Sequence, residues 1–536
     1  MSLAHDEDLS RVYPHTWTRL PVNARSQLRR ICVYPEDLPQ CLGPLVEDYG
    51  LPRHLQEMAE LEAAVRECRH SGTRTDRYPS SLCLNPSLTM IQLQWGGLLE
   101  LMNSPDHTEA DPREDGLLSQ DNATGLLWWD PFRERVRLEP AQSEDLLVLK
   151  MVAEEIDPRE IAAENDLSPS RLYTLLHRGK NRGLLLGPAS RLQRPPEVVP
   201  QVSPHFGAYQ AAEIFTLQWH LTDACDMRCR HCYGGGEAKQ RLEKGAAYRV
   251  LQDTAGFCRE KNVRGQITFT GGNPLLHPHF FELYEAAVRE GFLVAILGNP
   301  VDTETLERLV AIEPPALFQV SLEGLREHND YIRQEGHYDR VLGFLDRLRE
   351  YGVPSQVMLT LTRANMDQVL PLADSLRDRA DRFTFNRISL VGEGAALQPP
   401  EVAKYRSFLE DYLQAARDNP VIRLKDNLLN PALAAKGAEP FGGCTGFGCG
   451  AAFNFLALLP DGQVHACRKF PSPLGHIQSQ TLTEIYDSAL AAAYRSAPQD
   501  CLDCSLAPVC RGCLAVVHSF AGDLFRDRDP YCPARP

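Results

Sequence analysis

The stretch "LTDACDMRCRHCYGGG" (221–236) follows directly on a strand-like run, "FTLQWHL" (215–221), and places three cysteines within eight residues. Three residues separate Cys225 from Cys229, and two separate Cys229 from Cys232. A structural metal site closes its coordination with four protein ligands, whereas a catalytic one keeps a position open. This loop offers three thiols, one short of closure.

Outward from the loop, residues 214–417 alternate strand-like and helix-like segments. "QITFT" (266–270), "LVAIL" (293–297), "ALFQVSL" (316–322), "SQVMLTL" (355–361) and "RFTFNRISL" (382–390) are rich in β-branched and aromatic residues, as strands are. "HFFELYEAAVREG" (279–291) and "YDRVLGFLDRLREYG" (338–352) have helical spacing and end at glycine. Six βα units in series predict an α/β fold with a parallel sheet and right-handed crossovers, open or closed as a barrel. In either form ligands bind at the C-terminal ends of the strands. The triple-cysteine loop lies at that end.

The totals narrow the function classes. A chain of 536 residues exceeds one hydrophobic core, so several domains are expected. A net charge of -15 argues against nucleic acid as the main partner. The acidic start "MSLAHDEDLS" is unlike a secretory signal, and no apolar run is long enough for a bilayer, so the expected location is cytoplasmic with no membrane partner. In that reducing compartment sixteen cysteines point to metal or redox chemistry rather than disulfides. Cys32, Cys41, Cys68, Cys83 and Cys258 are scattered and are read as structural. The others fall in the loop and in a C-terminal zone.

The Cys-x3-Cys-x2-Cys loop after the first strand of a βα array resembles that of the radical S-adenosyl-L-methionine (SAM) family. The resemblance implies a partial (β/α)6 TIM-like barrel over 211–420. It also implies a 4Fe-4S cluster on Cys225, Cys229 and Cys232 whose open iron binds SAM, giving a 5'-deoxyadenosyl radical. "TGGNP" (270–274) is similar to the family's methionine-binding turn, with Gly271 and Gly272 letting backbone approach SAM and Asn273 in place of the usual Glu. "SLEGLREHNDYIRQEG" (321–336) resembles the stretch in which Ser321 and Glu323 would contact the ribose and Arg333 the SAM carboxylate. Glu323 replaces the usual Asp. Two residues apart on a strand end, Ser321 and Glu323 are expected to face the same side. His231 and Tyr233 flank Cys232, where the resemblance implies an aromatic against adenine, and Gly392 would let the sixth strand's backbone approach adenine.

Eight cysteines follow at 421–536: Cys444, Cys449, Cys467, Cys501, Cys504, Cys510, Cys513 and Cys532. By themselves they allow two four-cysteine zinc sites. The hairpin-like "FLALLPDGQVHACR" (455–468) and the spacing resemble the SPASM extension, which implies two auxiliary 4Fe-4S clusters. One would sit on Cys444, Cys449, Cys467 and Cys513, the other on Cys501, Cys504, Cys510 and Cys532. The departure is that two residues, not three, separate Cys510 from Cys513. "CRKF" (467–470) stands where members that oxidise a Ser or Cys side chain carry Gln-Met-Asp, which counts against a sulfatase-maturase-like oxidase.

Upstream, residues 1–120 form a mostly helical region without a readable motif. Residues 121–190 read as a hairpin, "LLWWDPFRERVRLEP", and three short helices, a winged-helix-like pattern with Asp157 and Ser168 or Ser170 as N-caps. Residues 191–210 are proline-rich and predict a linker. The helix with Arg171, His177, Arg178, Lys180 and Arg182 could serve a zinc-stabilised DNA-binding protein. The module instead resembles the PqqD-like domains of maturases of ribosomal (RiPP) peptides, which take a precursor peptide by strand addition. Together the resemblances imply a peptide-modifying radical SAM oxidoreductase that installs a crosslink or oxidative modification, fed by a flavodoxin- or ferredoxin-like reductant. The long N-terminal part with "LQWHLTDAC" is similar to thio- or seleno-oxazole (selenobiotic) peptide maturases.

Overall fold

A computed structural model describes residues 6–72, 76–103, 118, 122–165, 167–195, 204–234 and 241–533. The last two glycines of the loop and most of the proline-rich stretch lie outside these. The chain forms two compact units, one of Met1–Leu167 with Arg171–Ala189, the other of Ser168–Ser170 with Ser190–Pro536.

The first unit opens with helices over Asp6–Val12, Pro14–Arg19, Val22–Ile31, Leu38–Asp48 and His54–Gly72. Its strands are β1 (Cys83–Leu84), β2 (Thr89–Leu93), β3 (Ala123–Asp130), β4 (Arg135–Pro140) and β5 (Leu185–Leu186). The hairpin β3–β4 was expected. β2 was not, and it extends the hairpin to a three-stranded sheet ordered β2-β3-β4, with β1 paired to β5. The winged-helix-like part therefore reaches back before residue 121, because Leu93, in β2, packs with Leu127 and Leu138 in a core of its own. Helices Ser143–Ala153, Pro158–Glu164 and Pro169–Arg182 follow, and Asp157 caps the second by accepting from Arg159 N–H at 2.8 Å.

The second unit is built on β6 (Ile214–Thr222), β7 (Arg264–Gly271), β8 (Leu293–Leu297), β9 (Leu317–Ser321), β10 (Ser355–Leu361) and β11 (Arg382–Arg387), all parallel to their neighbours. Strand order follows chain order, the α/β arrangement of a partial barrel. Period-2 alternation explains its two faces. In β6, Phe215, Leu217, Trp219 and Leu221 are buried against the helical layer, while Thr216, Gln218 and His220 face inward. Trp219 stacks on Phe269 of β7 with ring centroids 5.9 Å apart. Each such fully buried large side chain contributes roughly 1.5–3 kcal/mol. The inward positions of the other strands are largely polar too: Gln266, Thr268, Gln319, Gln356, Thr384 and Asn386.

The sheet does not stop at the barrel. Beside β6 lies β12 (Phe455–Leu458), parallel to it, then β13 (Gln463–His465) and β14 (Pro473–His476) antiparallel, so the cysteine-rich part continues the barrel without a break near residue 420. Gly462 makes the β12–β13 turn at φ 96°. The expected linker begins as docked structure instead: Leu192 is fully buried, Gln193 bridges to Ala211, and Arg194 is 5% exposed.

Candidate active site

The triple-cysteine loop leaves β6 at Thr222 and is held by backbone that follows two other strands, β7 and β11. Gly272 N–H donates to Thr222 O at 2.7 Å, Asn273 N–H to Ala224 O at 2.8 Å, and Glu393 N–H to Cys232 O at 2.8 Å. These approaches require glycine. A Cβ on Gly272 would stand 2.3 Å from Ala224 O, and one on Gly392, at φ 57°, would stand 2.7 Å from Cys232 O. Gly392 thus packs closely on the loop backbone at Cys232 and Tyr233. Asn273, 4% exposed, likewise turns to the loop and donates to Asp226 at 3.0 Å. Asn299, just past β8, donates to the same carboxylate at 2.7 Å and reaches Cys225 Sγ at 3.7 Å. Asp226 and Asn299 escaped the sequence reading, although a polar residue just beyond a strand's C-terminal end is the signal that could have found Asn299.

Cys225, Cys229 and Cys232 line one cavity of about 990 Å³ that fills the barrel lumen, together with His231, Tyr233, Gly271, Gly272, Ser321 and Arg333. Glu323 does not line it. β9 ends at Ser321, so alternation lapses and Glu323 turns inward to 1% exposure. There it accepts from Arg333 Nε at 3.0 Å and Thr360 N–H at 2.7 Å, with His231 Nε2 3.4 Å away. Glu323 is thus a buried anchor, and it pairs with Arg333, which itself lines the cavity. Burial opposes ionisation of Glu323, but the Arg333 guanidinium and the hydrogen bonds from Arg333 and Thr360 N–H overcome it and hold its carboxyl below the ordinary value. Burial takes His231 down to about 4, so its imidazole is neutral.

The chemistry of the loop fits an iron-sulfur cube. The three thiols are close enough to act on one another electrostatically, and burial raises each. Arg333 offsets this at Cys229, its Nη1 lying 3.5 Å from the sulfur. Among the described residues no three His, Cys, Asp or Glu side chains gather tightly enough for a single metal ion. A cube gives each thiolate its own iron, so its ligands stand farther apart than those of a zinc tetrahedron.

The eight C-terminal cysteines separate in space. Cys444 and Cys467 line the same cavity as the loop, and each acts on Cys449 and Cys513. Cys501, Cys504, Cys510 and Cys532 surround another pocket of about 50 Å³. Arg387 at the end of β11 ties the barrel to this region, with two bonds to Asp529 at 2.8 and 2.7 Å and one to Asp426 at 2.8 Å. Asp529 also accepts from Cys513 N–H at 2.9 Å. Lys425, Arg468 and Lys469 line the cavity beside Cys444 and Cys467, so where an oxidase would place a carboxylate this chain places cations. The sequence reading did not foresee Lys425.

In the first unit, the basic face of the third helix is occupied. Arg178 meets Glu144 at 3.2 Å, and Arg182 meets Glu139 at 2.7 Å and also Asp145. Arg178 and Arg182 of this helix are thus paired with carboxylates of the same unit.

Comparison with known proteins agrees with this geometry. Residues 219–376 match the radical SAM superfamily and residues 449–514 the SPASM iron-sulfur cluster-binding domain. The antilisterial bacteriocin subtilosin biosynthesis protein AlbA of Bacillus subtilis is 25% identical over 281 residues, 51% of this chain and 59% of that protein. The match thus spans less than two thirds of AlbA's length. Mycofactocin maturase MftC of Mycolicibacterium smegmatis is 26% identical over 334 residues, 59% of this chain and 82% of MftC. Streptococcus suis SuiB bound to precursor peptide SuiA superposes with a TM-score of 0.49 at 16% identity, over 77% of this chain and 96% of SuiB. The two domains make SAM, a SAM-binding 4Fe-4S cluster and auxiliary clusters the cofactors of this chain.

Proposed function

Because residues 219–376 match the radical SAM superfamily and residues 449–514 the SPASM domain, we propose that the chain is a radical SAM maturase of ribosomally made precursor peptides. The observation that carries the reading is the three-thiol loop at the C-terminal end of a polar barrel lumen that also reaches Cys444 and Cys467. Cys225, Cys229 and Cys232 would hold the first cluster. When bound, that cluster supplies the electron that cleaves SAM to a 5'-deoxyadenosyl radical, which takes a hydrogen atom from the peptide.

The chain's own residues prepare the site. Asp226, held by Asn273 and Asn299, fixes the start of the loop. Arg333 places positive charge beside Cys229, and the neutral His231 packs against the Glu323 carboxylate. Ser321 and the Gly271–Gly272 backbone present polar atoms to the lumen, where SAM's ribose and ammonium can bond. Lys425 and Lys469 offset the charge of the thiolates on Cys444 and Cys467.

The peptide would be taken first by the sheet of the N-terminal unit. β4 pairs with β3 on one side, and among the described residues no strand pairs with its other edge. An extended leader segment added there would gain main-chain hydrogen bonds. AlbA, named for bacteriocin subtilosin biosynthesis, and MftC, named as a mycofactocin maturase, support this class of substrate. A flavodoxin- or ferredoxin-like protein would deliver the electron. Membership of the thio- or seleno-oxazole subfamily is the narrower proposal.

The test is anaerobic incubation of the reconstituted chain with SAM, dithionite and short peptides encoded beside its gene. A mass change in one peptide, dependent on SAM, supports the proposal. SAM cleavage without change in any such peptide, together with failure of the N-terminal unit to retain them, overturns it.

A further inference from the structure

The turn that joins the two C-terminal cysteine groups holds a charge that no carboxylate among the described residues meets. Cys510 stands with the second group and Cys513 with the first, and only Arg511 and Gly512 lie between them. Both lie in the left-handed region, at φ 58° and 60°. Glycine adopts that conformation freely, but arginine is strained there, and strain of this kind persists where the surroundings hold it in place.

What holds Arg511 is a second arginine and two carbonyls. Arg511, 3% exposed, donates through Nη2 to Phe447 O at 2.6 Å and Cys449 O at 2.9 Å. Arg194 enters from before the barrel and donates to the same two oxygens at 2.9 and 2.6 Å, with its guanidinium 3.7 Å from the Phe453 ring centroid. Arg511 Nη1 and Arg194 Nε are buried without a hydrogen-bond partner. Neither guanidinium forms an ion pair with a carboxylate among the described residues. Two like charges sharing two acceptors in a dry interior need compensating negative charge. The acidic groups that act on Arg511 are thiols from both groups: Cys449 on one side, Cys510 and Cys501 on the other. Cys449 acts on Arg194 as well.

We propose that Arg511, braced by Arg194, is the shared counter-charge of the two auxiliary clusters and raises the reduction potential of both. This rests on the reading of the eight cysteines as ligands of two 4Fe-4S clusters. Reduction adds one electron to a cluster and no proton, leaving it one unit more negative. A buried cation beside it therefore favours the reduced form, as charges around a metal centre do generally. Arg511 is in this sense a positioning residue for charge and does not touch substrate.

The test is a mediated redox titration of the anaerobically reconstituted full chain, followed by electron paramagnetic resonance of the auxiliary clusters. Arg511→Gly relaxes the backbone while deleting the charge, Arg511→Lys keeps the charge, and Arg194→Met removes the brace from outside the cysteine turn. The expected result is full iron in Arg511→Gly with auxiliary potentials about 59 mV or more negative of the parent, a tenfold change in the one-electron equilibrium. Arg194→Met should shift the same way, and Arg511→Lys should stay near the parent. Unchanged potentials in Arg511→Gly and Arg194→Met overturn the proposal. If Arg511→Gly loses iron, Arg194→Met decides alone. A parent chain that binds iron only at the loop refutes the cluster reading itself.

Discussion

Arg333 reaches two elements at once: its Nε donates to Glu323 Oε1 at 3.0 Å and its Nη1 lies 3.5 Å from Cys229 Sγ. One guanidinium thus joins the stretch after β9 to the cysteine loop, with Glu323 out of bulk water. Removing one partner of such a pair leaves a buried charge alone, which costs about 3–5 kcal/mol. Glu323→Gln and Arg333→Met should each destabilise the second unit by about that amount. The double variant should lose clearly less than the sum, in a double-mutant cycle read by denaturant unfolding. Additive losses would show that the pair does not act as one.

The glycine contacts set a steric test. Gly272→Ala would put a Cβ 2.3 Å from Ala224 O, a contact that backbone on both sides must yield to. The variant should fold, because the contact is confined to the loop, yet retain little of the loop cluster after reconstitution. Iron and sulfide analysis reads this directly, and iron content equal to the parent's would be the contrary result.

The two C-terminal cysteine groups make a counting prediction. With three clusters the parent should bind about twelve irons per chain. Pairing Cys444→Ala with Cys467→Ala should remove about four, since both fall in one group. Pairing Cys444→Ala with Cys504→Ala should remove about eight. Equal losses from the two pairs would contradict the partition.

The N-terminal unit carries a pH dependence of its own. Glu62 is 4% exposed and accepts from His15 N–H at 2.8 Å and Thr16 N–H at 3.1 Å. Burial pushes its carboxyl up to about 7 despite those bonds. A folded-state pKa above the unfolded one means that the folded state binds the extra proton. The contribution is therefore complete below the unfolded value near 4.5 and is lost as pH rises to 7, about 3 kcal/mol across the window. Calorimetry should show the melting of this unit fall between pH 5 and 7.5, and Glu62→Gln should flatten that fall. An equal slope in the variant would assign it to other groups.

The barrel was legible because alternation at period 2 and helical spacing report burial, and burial is what sorts its strands. The cysteine loop was legible because spacing within a loop survives folding. The burial of Glu323 was not legible because it lies two residues past the end of β9 at Ser321, where strand alternation no longer fixes a side chain's direction. β2 was missed because Thr89–Leu93 is mostly exposed and lacks an apolar face, its partner β3 lying some thirty residues on. Arg194 was read as part of a linker, since a proline-rich stretch gives no hint that its first residues dock into a distant core. Pairings of this kind depend on long-range contacts that no local pattern encodes.

The most direct measurement is the yield of 5'-deoxyadenosine from SAM and dithionite, comparing the reconstituted chain with its Cys225→Ala, Cys229→Ala, Cys232→Ala triple variant. The parent should produce it and the variant should not, while keeping about eight auxiliary irons. Undiminished 5'-deoxyadenosine from the variant would show that these three thiols do not hold the SAM-cleaving cluster.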